Sequence, residues 1–326
     1  SLFCALTGTE YAKAVASTGK SLAATVRILD PRLVKIHEIE GAHKKLIMPT
    51  IEILDSSSIA IEGGEKIDNP GKLSAVRECD GYLLVLKGYE GEDVQKQLDA
   101  IRSEFILADI DVMQKRLDKL RGDSKKNNVL NKEELLKELS VMEPLLEAVS
   151  GGDTAAFSKL TPEDEKRLKG FAFYSKKPLI PLANIGETQL GKGGSIPACA
   201  IKLEMELMAM EPAERESFMK DYGLTSLVLE KLAVTIYEKL HLQTFITTGD
   251  KDVTGWHLRK GATALDAAGR IHTDLAKGFI NAEFVSHAEY GKWKNYKEAH
   301  TRSNKRVEGK GYLMQDFDFV EIKSGV

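Results

Sequence analysis

The stretch Leu242–Val285 reads LQTFITTGDKDVTGWHLRKGATALDAAGRIHTDLAKGFINAEFV, and its reading decides the fold of the C-terminal part of the chain. Thr263 followed three residues later by Asp266 is a capping pair: the threonine oxygen accepts from the first helical amides, and the carboxylate sits against the positive helix end. The spacing predicts a short helix from Ala264 to about His272. Phe279–Val285 alternates as a half-buried strand does, while Phe245, Val253 and Trp256 mark two earlier strands around a turn at Gly249-Asp250. Strands, a short helix and more strands in this compass describe a small α+β module.

Leu242–Phe245, the turn Gly261–Thr263, the run Ala267–Asp274 and Lys277–Ile280 also resemble the C-terminal TGS-type (β-grasp) domain of the YchF subfamily of Obg-like P-loop NTPases. The resemblance implies an α/β fold: a P-loop NTPase-type, mostly parallel sheet with an antiparallel coiled-coil insertion, followed by the small α+β β-grasp domain. On that plan residues 1–90 and 151–240 form the nucleotide-binding domain, 91–150 the helical hairpin and 241–326 the TGS-like domain.

Composition agrees with two folded domains. At 326 residues, 42% hydrophobic and 29% charged, the chain has enough apolar content for two cores and too much for intrinsic disorder. Cys4, Cys79 and Cys199 lie far apart, with no spacing suited to zinc, and point to a reducing compartment. No apolar run reaches the length of a membrane span and no signal peptide is recognisable, so a cytoplasmic, membrane-free protein is expected. With a net charge of -3, any nucleic-acid contact must come from a local patch, and no DNA sequence specificity is expected.

Beyond the module, Lys292-Trp293-Lys294-Asn295-Tyr296-Lys297 and then Arg302, Lys305, Arg306 and Lys310 interleave bases with aromatics. Two readings stay open: an RNA-binding surface carried by Lys292, Trp293, Lys294, Arg302 and Arg306, or a solvated amphipathic segment with Trp293 and Tyr296 packed inward. His272 has no nucleophile or carboxylate partner implied nearby and reads as a packed or hydrogen-bonded histidine. Asp316-Phe317-Asp318 reads as a turn or strand edge.

Upstream of the module, Glu211–Tyr222 and Leu224–Leu240 read as amphipathic helices, the first ended by Gly223. Ser195–Ala200 and Pro178–Ala183 are apolar strands, the latter ending at Asn184-Ile185-Gly186-Glu187. The resemblance places nucleotide recognition here. Asn184 would read the purine N7 edge, Glu187 would stand where guanine-specific relatives carry an aspartate, and Cys199-Ala200 would bring backbone amides to the base. Adenine lacks the N1-H and N2-H donors that such an aspartate accepts, so glutamate at this place is compatible with ATP as well as GTP. A turn-capping asparagine, and a buried small residue at Cys199, are the competing readings.

Further upstream, Ile106, Ile110, Met113, Leu117 and Leu120 step by four and three, as do Leu135, Leu139, Met142, Leu146 and Val149. They predict two helices of a hairpin around a polar turn at 121–128, with Asn131 and Glu134 capping the second and Pro144 kinking it. Thr161-Pro162 starts a further helix by N-cap and N1 proline. Gly81–Leu86 is a buried-strand run of the kind found in parallel sheets.

Leu46–Leu54 is predicted as one strand ending at Asp55, a carboxylate at the edge where ligands sit in open α/β sheets. By resemblance Asp55 would hold Mg2+ through water, Thr18 would close on the same ion, and Ser1 would follow the magnesium-binding hydroxyl at the end of the phosphate loop. A surface Ser-Thr-Gly-Lys turn is the other reading of Thr18. The family glycine three residues after the aspartate is Ser58 here, which resists the positive φ that glycine allows. Gly19-Lys20-Ser21 is no phosphate loop, because Ala14 stands where the motif needs glycine. The resemblance therefore implies an ATP- or GTP-binding protein with Mg2+ that regulates translation or a stress response on ribosomes or RNA. A hydrolytically inactive, degenerate NTPase fold kept as a ribosome-, RNA- or protein-binding module is the alternative. No catalytic residue can be named.

Overall fold

The computed structural model describes residues 2–8, 22–56, 69–89, 91–126, 131–192, 194–286, 290, 292, 293, 295, 298, 301 and 305–325. Its strands, in chain order, are β1 (Leu22–Arg27), β2 (Lys45–Ile47), β3 (Thr50–Asp55), β4 (Tyr82–Lys87), β5 (Leu179–Asn184), β6 (Ala198–Cys199), β7 (Leu242–Thr248), β8 (Asp252–Arg259), β9 (Phe279–Val285), β10 (Arg306–Glu308) and β11 (Phe319–Ser324). Contacts divide the chain into two units, one comprising Leu54–Ser226 and the other Ala23–Ile53 and Leu227–Val326 with Leu2–Thr9. The fold is the mixed α/β arrangement expected, with parallel strand pairs in both units.

In the first unit β4, β5 and β6 form a parallel sheet in that order. Tyr82, Leu84 and Leu86 of β4 are buried, packed with Leu98, Ile101 and Phe105 of the helix Val94–Ser124 and with Tyr174. That helix and the return helix Lys132–Ser150 make the hairpin, closed over Met113, Leu117, Leu120, Met142, Leu145 and Val149, all buried. Arg116 grips Glu138 with two bonds of 2.7 and 2.6 Å across it. The return helix continues through Pro144. Thr161 caps the helix Pro162–Leu168 by accepting from the Asp164 amide, with proline at the first turn as predicted.

Two expectations in this unit are corrected. Asn131 does not cap its helix by a side-chain bond: its backbone is left-handed, φ 62, where a cap needs extended geometry. Glu134, its intended partner, turns instead to Arg167 at 3.2 Å and Lys137 at 3.3 Å. The strand expected over Ser195–Ala200 shrinks to Ala198–Cys199 and is followed at once by a helix, Ile201–Met208.

The second unit holds a six-stranded sheet ordered β10-β9-β11-β7-β8-β2. The hairpin β7–β8 is antiparallel, and β11 runs parallel beside β7, which gives the β-grasp core. One face packs Phe245, Phe284 and Val320 against Ala264, Ala267 and Ala268 of the helix Ala264–Ile271, whose capping box at Thr263 and Asp266 forms as read from the sequence. The other face packs Ile246, Val253, Val285 and Phe319 with Leu33 and Ile36 of the helix Pro31–Glu40.

The single strand expected over Leu46–Leu54 is two strands in two sheets. Pro49 lacks an amide to donate, and its carbonyl accepts from Ile28 at 2.8 Å, so the chain changes partners there. Lys45–Ile47 pairs in parallel with Asp252–Thr254, while β3 pairs with β1 in a separate two-stranded sheet. The crossing is close at Gly255, where a Cβ would lie 2.8 Å from Leu33 Cδ2 and 3.0 Å from Pro49 Cδ.

Candidate nucleotide-base site

The C-terminal ends of β5 and β6 bring together four of the residues singled out from the sequence. Asn184 ends β5 and is the register partner of Cys199 on β6, as Ala183 is of Ala198. The link continues past the strands, since the Ile185 amide donates to the Cys199 carbonyl at 3.0 Å. On the other side the Gly88 amide donates to the Asn184 carbonyl at 2.8 Å. Gly88 is required by this approach, because a Cβ there would meet Ile185 Cγ2 at 2.9 Å and the Asn184 carbonyl at 3.1 Å.

Glu187 opens a one-turn 3-10 helix, Glu187–Gln189. The turn is held from within and from outside: the Gly186 amide donates to Gln189 Oε1 at 2.9 Å, and Gln189 Nε2 donates to the Gly88 carbonyl at 2.7 Å. Gln189 thus ties the loop that carries Glu187 to the end of β4. Glu187 itself is exposed and Asn184 half-buried, so both side chains can reach a ligand beyond the strand ends.

Cys199 and Ala200 are fully covered, at 0% and 2% exposure. Burial, reinforced by the Glu204 carboxylate, pushes the Cys199 thiol far up, so it stays protonated and serves as a packing residue. At these exposures backbone and side chain alike are covered, so the pair packs behind the strand ends. Asp55 ends β3 and is exposed, whereas Thr18 and Ser1 lie outside the described residues. Among the described residues no three His, Cys, Asp or Glu side chains gather into a metal cage.

The C-terminal basic run is described at Lys292, Trp293, Asn295, Lys305, Arg306 and Lys310. Trp293 packs into the cluster of Leu33, Ile36, Val285 and Tyr290, with its Nε1 buried and unpaired among the described residues. For Trp293 the geometry is that of the packed alternative, while Tyr296 lies outside the described residues. Arg306 donates to the Tyr312 hydroxyl at 2.9 Å and stands 3.6 Å from Asp318. Lys292 is exposed, and Lys294 and Arg302 lie outside the described residues. His272 caps the helix Thr273–Lys277 by accepting from the Asp274 amide, the hydrogen-bonded role expected of it. Asp316-Phe317-Asp318 is a turn, with φ 61 at Phe317.

The family model YchF-GTPase_C, described as "Protein of unknown function (DUF933)", matches residues 242–324. The Ribosome-binding ATPase YchF of Buchnera aphidicola subsp. Schizaphis graminum is 30% identical over 303 residues, covering 86% of this chain and 82% of that protein. This chain belongs to the YchF family. The Ribosome-binding ATPase YchF of Haemophilus ducreyi is 29% identical over 353 aligned positions that take in 100% of this chain and 95% of the relative. The solved structure of the Schizosaccharomyces pombe YchF GTPase shares the fold at TM-score 0.79 and 22% identity, over 99% of this chain and 93% of that one. Within this YchF chain, sequence reading singled out Asn184, Glu187, Cys199 and Ala200 at these strand ends but passed over Gln189, which ties their loop to β4. Gln189 stands three residues after Gly186, a capping-box spacing that could have revealed it.

Proposed function

We propose that the chain is a purine-nucleotide-binding, ribosome-associated NTPase-fold protein whose base site is formed by Asn184 and Glu187, with Cys199 and Ala200 packed behind them. The observation that carries the reading is the register of β5 on β6, which sets Asn184 beside Cys199 at the carboxyl ends of parallel strands, where open α/β sheets bind ligands. Relatives named Ribosome-binding ATPase support the nucleotide and the partner. A nucleotide-borne Mg2+ needs only one or two carboxylates besides phosphate and water, so a single exposed Asp55 fits such an ion. The ion would neutralise phosphate charge, while Asp55 orients its water shell. Ser1 and Thr18 belong to the same proposal on the phosphate side, as does the division into a nucleotide domain at 1–90 and 151–240, a hairpin at 91–150 and a TGS-like domain at 241–326. A cytoplasmic setting follows from a ribosomal partner.

The competing reading, a binding module without turnover, is favoured by Ser58 in place of the family glycine. Co-sedimentation with ribosomes at several salt concentrations, with and without ATP and Mg2+, tests the proposal. Pelleting with ribosomes that responds to ATP is the expected result. Pelleting indifferent to any nucleotide supports the module instead, and no pelleting at low salt overturns the ribosomal partner.

A further inference from the structure

Glu187 does not face solvent alone. The Tyr222 hydroxyl donates to its Oε2 at 3.3 Å, within the same compact unit. Both ends of this pair are fixed by backbone. Tyr222 stands at the C-terminal end of the helix Pro212–Asp221, its amide donating to the Phe218 carbonyl at 3.1 Å. Gly223 follows with φ 67, and the Leu224 amide returns to the Met219 carbonyl at 2.8 Å, a helix stop that sets the direction of the Tyr222 side chain. Glu187 is fixed by the Gln189 bonds already described. The nearby Glu187 charge, then desolvation, raises the phenol's pKa and keeps it a donor near neutral pH.

A carboxylate with two free oxygens takes the paired N1-H and N2-H donors of guanine as a fork, one donor to each oxygen. Adenine offers a donor only at N6 beside the N1 acceptor, so one oxygen suffices. A tyrosine bound to Oε2 competes for that oxygen and weakens one arm of the fork.

We infer that Tyr222 is a specificity-determining residue of the base site, whose hydroxyl competes for one oxygen of Glu187 and leaves the other for the single donor of adenine. The inference rests on the base site proposed above. It assigns to a residue on a separate helix the choice between the two purines, which Glu187 alone would leave open.

The test is saturation-transfer NMR of ATP and GTP against the full chain, a method that reads millimolar as well as micromolar affinities, with wild type, Tyr222→Phe, Glu187→Gln and the double variant. The expected result is a fall of the ATP-over-GTP affinity ratio by roughly 3- to 10-fold in Tyr222→Phe, the value of one oriented hydrogen bond, through a gain for GTP with ATP little changed. In the Glu187→Gln background the same substitution should leave the ratio unchanged, because the fork is already gone. A structural tyrosine would instead weaken both nucleotides together. An unchanged ratio, or an equal loss for both, overturns the inference while the base site stands. A wild-type chain that saturates with neither nucleotide overturns the base site and this inference together.

Discussion

Arg32 and Asp316 are joined across 284 positions of sequence, Nη1 to Oδ2 at 2.9 Å. The same guanidinium binds Asp30 and lies 3.6 Å above the Phe317 ring, so one side chain clasps the start of the helix Pro31–Glu40 to the turn before β11. Asp316 is held in place by the Thr244 amide at 3.0 Å. Arg32→Lys keeps the charge but loses the fork and the flat stacking face, and about 1 kcal/mol of stability should go with them; solvent around the pair limits the effect. Urea unfolding followed by fluorescence checks this, and a variant as stable as wild type would show the clasp to be decorative.

The buried Asp109 predicts a pH dependence. Its carboxylate accepts from the amides of Tyr174 and Ser175 at 3.0 and 2.8 Å and from the Ser175 hydroxyl at 2.6 Å. Burial raises its pKa above the ordinary 3.8, a shift those hydrogen bonds oppose. A raised carboxyl pKa means the folded state holds its proton longer than the unfolded chain, so this group's contribution is full below the unfolded value and declines as pH rises through the folded one. Asp109→Asn should remove that decline, read as a wild-type-minus-variant stability difference that shrinks as pH rises above the ordinary carboxyl value of 3.8. Asp109→Ala, which orphans two amides and a hydroxyl, should cost about 3 kcal/mol or more.

Trp293→Ala separates packing from stacking. With its ring in the cluster under Leu33 and Val285, the substitution should cost about 2–3 kcal/mol in a denaturation experiment. A stability within a few tenths of wild type, with RNA binding lost, would restore the stacking platform.

Gly255→Ala places a methyl against Leu33 and Pro49 in the middle of β8, and should cost about 1–3 kcal/mol by overpacking. Thermal unfolding measures it, and an unchanged transition would mean that the helix Pro31–Glu40 does not seat where the structure puts it.

These residues also show what was legible in the sequence. The hairpin declared itself because its stripe repeats over two long helices, and the Thr263 cap because its chemistry is local. The strands β4 and β5 were readable as continuous apolar runs. What failed was non-local. Nothing in Leu46–Leu54 announces that Pro49 sends Lys45–Ile47 to the edge of a sheet two hundred residues away, since strand pairing partners leave no periodic trace. Asn131 was misread because a capping spacing carries no sign of the left-handed backbone found there. At the base site the strand-end residues could be found by pattern, whereas Tyr222, on a separate helix, could be found only by distance.

The central claim is that the ends of β5 and β6 bind a purine nucleotide. Equilibrium dialysis of the full chain against radiolabelled ATP with Mg2+, comparing wild type with Asn184→Ala, tests it most directly. Saturable binding to one site, weakened about tenfold or more in a variant that keeps its thermal transition, is the predicted result. Equal retention of ATP by the two proteins, or none by wild type, would contradict it.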